Sequence, residues 1–284
     1  MIRSLMTLGA VLALTACERV VDVDVAEGPV RLVVEARLER VLGNVKGVQE
    51  IRLSTTAPYF SNAAPPAARG ATVTVSDQDG RIWTFDESLT PGTYLNANLV
   101  VTAGTRYTLD IRWQGARYRG TETGMPVPPI DSIYLDKPMP GRFSGTEGLR
   151  ATIDLRDIPN VKNWYLWDQF VDGVRLLGPD STFKARIIGP DEAFKGIEIK
   201  GFQPFEGVPI QPGSTVLVRQ VGISEATYQY LLAFSNQVQQ DGSPFSVPPT
   251  SVRGNVANLD DPARPALGYF SVSEVAEARI TRPR

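Results

Sequence analysis

The sequence contains no histidine, and its only cysteine is Cys17. Without histidine, the chain lacks the side chain that most often acts as a general base near neutral pH and that most often binds zinc. With a single cysteine it cannot form an internal disulfide. A nucleophile elbow of the G-x-S-x-G type and a phosphate-binding glycine loop are also missing. We therefore predict a protein that is not an enzyme and that holds no metal and no cofactor.

One kind of catalysis stays open in spite of these absences. The 31 acidic residues include many candidates for the two carboxylates of a glycan hydrolase, and a sequence gives no separations in space. A carboxylate-based glycan hydrolase is therefore kept as an alternative function.

The charge of the chain is nearly balanced, with 29 lysines and arginines against 31 aspartates and glutamates. The basic residues are scattered singly, so the sequence predicts no surface that could neutralise a row of phosphates. A nucleic-acid partner is therefore not expected.

Residues 1–16 have the layout of a secretory signal peptide. They carry one positive charge, Arg3, followed by an apolar stretch from Leu5 to Leu14. A transmembrane helix needs roughly 20 apolar residues, and this stretch is about half as long. The segment is therefore predicted to be cleaved and not to span, and no other stretch is apolar enough to cross a bilayer.

The tetrapeptide Leu14-Thr15-Ala16-Cys17 resembles the lipobox of bacterial lipoproteins, in which the cysteine is acylated and becomes the first residue after cleavage. A lone thiol in an exported protein has no internal partner, and acylation gives it a use. Each buried methylene contributes about 0.8 kcal/mol, so two or three acyl chains make a durable anchor. We predict lipidation of Cys17 and a membrane partner through it. An ordinary cleaved signal with a chance cysteine is the alternative.

Residues 17–28 are predicted to form a lipidated tether that runs into the first strand. Val21 to Val25 alternate apolar and acidic residues, as a half-exposed strand does. Asp22 and Asp24 would point to one face of such a strand and could bind a cation, but no third oxygen ligand lies nearby, which favours a solvated face.

Residues 29–128 are predicted to form an immunoglobulin-like β-sandwich. Strand patterns recur at short intervals without helical periodicity, and roughly seven strands in about 100 residues is the number that such a sandwich has. Hairpin turns are predicted at Asp79-Gly80 and Gln114-Gly115, since glycine adopts a positive φ easily. The predicted strands are Val30–Ala36, Glu50–Ser54, Ala71–Ser76, Arg81–Phe85, Tyr107–Trp113 and Ala116–Thr121.

The proline-rich segment 125–129 is predicted to be an extended linker, because proline cannot donate to a sheet ladder. We place a domain boundary near residue 129 and predict a second β-rich domain over residues 129–284. Its strands are expected at Ile130–Leu135, Arg150–Leu155, Trp164–Val171, Phe183–Ile188, Ser214–Val221 and near 268–272.

One helix is predicted near residues 224–239, where Ser224 is a good N-cap and an apolar stripe follows. We favour packing of this stripe against the core over binding of a partner. The predicted fold class is therefore all-β with one helix in the C-terminal domain.

The densest aromatic cluster of the sequence contains Trp164, Tyr165 and Trp167, which are candidate ligand-binding residues. Aromatic rings stack on sugar rings and support apolar ligands. In a strand, Trp164 faces one way and Tyr165 and Trp167 the other, so at least one face should be core. Core packing is the favoured alternative role for these side chains.

Several segments together resemble the family known as domain of unknown function 4249, which comprises Bacteroidota-type outer-membrane lipoproteins. The similar segments are Cys17–Asp24, Leu32–Glu35, Tyr59–Phe60, Ala71–Val75, Gly92–Tyr94, Pro128–Ile133, Ser224–Tyr230, Pro244–Pro249 and Gly268–Phe270. The resemblance implies no activity. It implies a setting similar to that of the accessory subunits of TonB-dependent outer-membrane transporters, in which acidic residues after the lipidated cysteine, such as Glu18, favour export to the cell surface.

We therefore expect an outer-membrane, surface-exposed lipoprotein that binds a ligand or acts as an accessory subunit of a TonB-dependent transporter. A structural or adhesive envelope lipoprotein is a second alternative beside the glycan hydrolase. A concave apolar pocket with a few converging polar groups would favour the binding of a small ligand.

Overall fold

The structure is a computed structural model, and it describes residues 28–58, 61, 63–138, 147–176, 187–193, 196–238 and 252–284. The predicted signal peptide, Cys17 and both tether aspartates, Asp22 and Asp24, lie outside the described residues. So does most of the strand predicted over Phe183–Ile188.

The described residues form sixteen strands and one α-helix, so the predicted all-β class with one helix is confirmed. The first strands are β1 (Leu32–Val41), β2 (Gln49–Thr55), β3 (Thr72–Asp77), β4 (Ile82–Glu87), β5 (Thr93–Asn96), β6 (Arg106–Trp113), β7 (Ala116–Thr123) and β8 (Ile130–Asp136). The later elements are β9 (Arg150–Arg156), β10 (Trp164–Val171), β11 (Val174–Arg175), β12 (Ile187–Pro190), β13 (Glu198–Phe202), β14 (Thr215–Ile223), α1 (Glu225–Val238), β15 (Val256–Asn258) and β16 (Leu267–Thr281).

Both predicted hairpin turns are present. Gln114 and Gly115 have φ of 48° and 80° between β6 and β7, and Gly80 has φ of 83° between β3 and β4. The buried carboxylate of Asp77 accepts hydrogen bonds from the backbone N–H groups of Asp79 and Arg81, each at 3.0 Å. Local turn chemistry therefore sets these two strand pairs.

Most strands belong to one long sheet with the order β11-β10-β14-β16-β1-β2-β5-β4-β3-β6-β7-β15, and β12 also pairs with β10. Its neighbours are antiparallel except for β1 and β16, which run parallel. A second sheet has the order β13-β9-β8. Among the described residues, the last strand therefore lies beside the first, inside the long sheet.

Two large hydrophobic cores lie along the long sheet. The first joins buried residues of β1, β2 and β16 to those of β3, β6 and β7, such as Ile51 and Leu109, which is the layering of a sandwich. The second joins β10 and β14 to the three-stranded sheet, with Tyr165 and Ile153 fully buried. Because Phe270 of β16 belongs to the first core, residues beyond 129 contribute to the predicted sandwich; the boundary near residue 129 stays a prediction.

The proline-rich linker packs closely on the long sheet at Gly222. A Cβ atom on Gly222 would lie 2.1 Å from the Pro126 carbonyl oxygen. On the same linker, the Met125 N–H donates to Val272 O at 3.0 Å, and its carbonyl accepts from Glu274 N at 2.9 Å. Backbone on both sides of this contact is therefore held in place.

We expect Gly222→Ala to lower the free energy of unfolding by about 3 kcal/mol, because an added methyl cannot be accommodated without moving the linker backbone. Urea unfolding measures this change. Gly47→Ala is the control, since no atom lies within 4 Å of its added Cβ. Equal stability of the two variants would show that the linker does not pack on β14 as described.

Candidate functional site

The helix α1 lies over one face of the long sheet, in contact with β10, β12, β14 and β16. Ser224 caps it as predicted, since its Oγ accepts from the Thr227 N–H at 3.1 Å and its carbonyl accepts from the Tyr228 N–H at 2.9 Å. Tyr228 and Leu231 pack against a small apolar cluster that contains Val221 and Ile223 of β14. The first turns of the helix are thus fixed to the sheet.

A cavity of about 580 Å³ lies between α1 and this face of the sheet. That volume is within the range of roughly 300–1,000 Å³ that small-ligand sites occupy. The side chains that give it an apolar character come from the sheet and from the helix. They are Val33, Leu166, Val221, Ile223, Leu267, Tyr269, Tyr230, Leu231 and Phe234.

The cavity exists because small side chains lie under the helix where large ones would fill the space. Ser271 and Ser273 of β16 form part of its floor and are buried. On the helix, Thr227 and Ser235 are the buried residues, whereas Phe234 keeps 37 % of its surface exposed. The helix therefore covers the sheet without packing fully against it.

Six charged side chains on this side of the sheet alternate in sign, and we call them the charge network. The chain of ion pairs runs through Arg175, Asp168, Arg37, Glu39, Arg219 and Glu277. Their distances are 2.6 Å, 3.4 Å, 2.7 Å, 2.7 Å and 2.7 Å in that order. The network connects five strands, from β11 at the sheet edge to β1.

The pair between Arg37 and Asp168 shows that the sheet curves toward this face. Arg37 is in β1 and Asp168 in β10, with β14 and β16 between them. Asp168 pairs with Arg219 and Arg219 with Glu277, which lies six residues along β16 from Ser271, the partner of Arg37. On a flat sheet, three strand spacings and this six-residue offset would separate the two residues by about 24 Å, which is more than their side chains can bridge. The face under α1 is therefore concave.

Asp168 is the centre of the charge network and has a side chain only 1 % exposed. Arg175 donates to its Oδ1 and Arg37 to its Oδ2. Burial alone would raise its pKa, but the charges of Arg37 and Arg175 outweigh burial and hold the pKa of Asp168 below its ordinary value. Asp168 is therefore ionised at neutral pH and balances the two arginines.

A second polar cluster lies where α1 begins. Glu122 of β7 accepts from the Ser224 hydroxyl at 2.8 Å and from the Thr123 N–H at 2.9 Å. Burial raises the pKa of Glu122 and outweighs these hydrogen bonds. Beside it, burial raises the pKa of Tyr269 to about 12, and the Tyr269 hydroxyl lacks a hydrogen-bond partner of normal geometry among the described residues.

We expect Glu122→Gln to reduce the loss of stability that accompanies rising pH. Because the pKa of Glu122 is higher in the folded state than in the unfolded state, the folded state holds this proton more tightly. The protonated carboxyl therefore contributes to the free energy of unfolding below about pH 4.5, and this contribution is lost as pH rises through the raised pKa. Urea unfolding of wild type and variant at pH 4 and pH 7.5 measures the difference, with the exposed Glu147→Gln as control. A variant with the wild-type pH dependence would contradict the burial of Glu122.

The sequence that builds this site matches the model of a known protein family. The family described as domain of unknown function (DUF4249) matches residues 18–279. The chain belongs to this family. The matched region includes every residue of the cavity and of the charge network named above. A search of curated proteins finds no match.

In this DUF4249 protein the three aromatic residues predicted to bind a ligand are core residues. Trp164, Tyr165 and Trp167 are 8 %, 0 % and 3 % exposed. The Tyr165 hydroxyl donates to Asp157 at 2.5 Å, and the Trp167 indole N–H donates to Gln220 at 3.0 Å. None of the three lines the cavity under α1, and their placement agrees with the core-packing alternative.

The residues that do form the candidate site in this DUF4249 protein are widely separated in the sequence, from Arg31 to Ser273. One signal of this site is visible in the sequence, namely the apolar stripe of the helix predicted near 224–239. Tyr228 and Leu231 of that stripe pack on the sheet as expected, but Phe234 faces the cavity. Ser271 and Ser273 are far from Phe234 in the sequence. They can be recognised as parts of one site only when β16 is known to lie under α1.

The described residues contain neither a candidate metal site nor a helix that could span a membrane. No group of three or more histidine, cysteine, aspartate or glutamate side chains is arranged to hold a metal ion within the described part of the chain. Across the same residues, α1 included, no helix combines the length and apolar character needed to cross a membrane.

Proposed function

We propose that this DUF4249 protein binds a small, largely apolar ligand in the cavity between α1 and the concave sheet. The observation that carries the proposal is the cavity itself, with a volume of about 580 Å³ and a lining of apolar side chains with a few charged and small polar ones. Ligand sites have this composition, because apolar walls supply affinity and a few polar groups fix orientation. The concave apolar pocket favours binding of a ligand over a purely structural or adhesive role.

We further propose that Cys17 anchors the protein to the outer membrane, with the body at the cell surface, where it serves a TonB-dependent transporter as an accessory subunit. The support is the lipobox pattern that ends at Cys17, the acidic Glu18 beside it and the setting that the DUF4249 resemblance implies. A lipid tether of residues 17–28 keeps a ligand-binding body close to a membrane transporter.

The ligand-binding proposal is tested with the neutral fluorophore N-phenyl-1-naphthylamine and the mature chain, residues 17–284, made without acyl chains. Ser271→Phe places a ring in the cavity, and Ser271→Ala is the matched control. We expect the wild type and the alanine variant to enhance the fluorescence, and the phenylalanine variant to bind at least tenfold more weakly. Equal binding by all three proteins would overturn the proposal.

The transporter proposal is tested by purifying the acylated protein from its own membranes in a mild detergent. We expect a β-barrel transporter to copurify with it. Recovery of the protein without any β-barrel partner would contradict the accessory role and would leave the ligand-binding proposal standing.

A further inference from the structure

Two of the charged side chains that line the cavity are arginines that lie over a buried carboxylate. Arg37 and Arg175 both line the cavity, whereas Asp168 lies beneath them. The side chain of Asp168 is 1 % exposed, against 38 % for Arg37 and 29 % for Arg175. The two guanidinium groups therefore cover the carboxylate that they share.

Both guanidinium groups keep donors that the protein does not use. A guanidinium carries five N–H donors. Arg37 reaches Glu39 and Asp168 through Nη2 alone, and Arg175 reaches only Asp168, through Nε and Nη2. Within the described residues the Nη1 atoms of Arg37 and Arg175 make no hydrogen bond, so both side chains can hold a further acceptor.

The balance of charge around the cavity also favours a negatively charged ligand. Its described lining includes three arginines, Arg31, Arg37 and Arg175, against one carboxylate, Glu35. The Arg31 guanidinium is occupied by the Pro265 carbonyl oxygen, at 2.6 Å and 3.1 Å. Glu35 is exposed and belongs to β1, two residues from Arg37. An anion placed at Arg37 and Arg175 therefore meets two cations that share the buried carboxylate of Asp168, and Arg37 also pairs with Glu39.

We infer that the ligand is an amphipathic anion, with an apolar body between α1 and the sheet and a single carboxylate or similar head group on Arg37 and Arg175. This inference rests on the proposed ligand-binding function and adds the chemical class of the ligand. Arginine is suited to such a head group, because its planar donors match the two oxygens of a carboxylate.

The test is displacement of N-phenyl-1-naphthylamine from the mature chain by three amphiphiles of equal chain length, each below its micelle-forming concentration. They are dodecanoate, dodecanol and dodecyltrimethylammonium. We expect dodecanoate to displace half of the fluorophore at a concentration at least tenfold lower than dodecanol, and the cation to be the weakest competitor. In Arg175→Gln, the concentrations of dodecanoate and dodecanol that displace half of the fluorophore should differ by less than threefold. Arg175→Lys should keep part of the preference for dodecanoate.

Dodecanol serves as the internal reference. It has no charged head group, so the loss of Arg175 should leave the concentration at which it displaces the fluorophore unchanged. Equal displacement by all three amphiphiles, or an anion preference that survives Arg175→Gln, would overturn the inference while ligand binding itself stands. If the fluorophore binds Ser271→Phe as well as wild type, the proposed function fails and the inference fails with it. Should Arg175→Gln not fold, the wild-type order of the three amphiphiles decides.

Discussion

Replacement of Asp168 by asparagine is expected to lower the free energy of unfolding by about 3 kcal/mol. Removing one partner of a buried ion pair typically costs roughly 3–5 kcal/mol, because the other charge is left buried without compensation. The lower end applies here, since Arg37 and Arg175 keep some contact with water. An asparagine amide is neutral and cannot balance either guanidinium group.

The matched control for this variant is Asp110→Asn. Asp110 also accepts from an arginine on a neighbouring strand, Arg119 at 2.8 Å, but both of these side chains are more than a third exposed. Exposed pairs contribute about 0–1 kcal/mol. Urea unfolding at neutral pH should therefore separate the two variants clearly, and similar losses in both would contradict the central place of Asp168.

The same variant has a predicted pH signature. The lowered pKa of Asp168 means that its stabilising contribution is present above the ordinary aspartate pKa and is lost as pH falls through the lowered value. The gap between wild type and Asp168→Asn should therefore narrow in acid. A gap that stays constant from pH 7 down to pH 2 would show that the charge of Asp168 is not the source of the stability.

Replacement of Cys17 by alanine is expected to abolish acylation and to remove the protein from the outer-membrane fraction. In the proposed anchor the thiol accepts the first acyl chain, and no other cysteine exists in the chain to replace it. Incorporation of an alkyne-tagged palmitate, followed by membrane fractionation, measures both effects. Thr7→Ala, in the apolar stretch of the predicted signal peptide, is the control that should incorporate the label normally.

A labelled Cys17→Ala protein in the outer membrane would refute the anchor. Labelling of wild type with release of the variant from the outer membrane would place attachment at Cys17. Protease treatment of intact cells then distinguishes the two leaflets, since only a body at the cell surface is digested.

Local signals in the sequence predicted much of the fold. The turns at Gly80 and Gln114-Gly115, the cap at Ser224 and strands such as β10 (Trp164–Val171) depend on neighbouring residues, and the structure has them as expected. Periodicity and turn chemistry act over a few residues, which is why these predictions succeed.

The last strand shows where such reasoning stops. The sequence predicts a strand near 268–272, but β16 runs from Leu267 to Thr281 and pairs in parallel with β1. Glu274 interrupts the apolar pattern, yet it is buried and paired with Arg40. Arg40 is far from Glu274 in the sequence, so no local pattern around Glu274 indicates that its charge is neutralised.

The candidate site was less accessible than the fold for the same reason. The sequence directed attention to Trp164, Tyr165 and Trp167, because neighbouring aromatic residues are visible as a cluster. The charge network and the cavity combine β1, β10, β11, β14, β16 and α1, and among the strands that carry the network charges only β10 and β11 are joined by a local turn. Ser271 and Phe234 line the same cavity only because the sheet order places β16 under α1.

A crystal structure of the mature chain with bound N-phenyl-1-naphthylamine tests the central claim most directly. The account predicts that the rings lie between α1 and the concave sheet, in contact with Val221 and Phe234 and above Ser271. A fluorophore bound elsewhere on the protein, with α1 packed down on Ser271 and Ser273 and no space left between them, would contradict it.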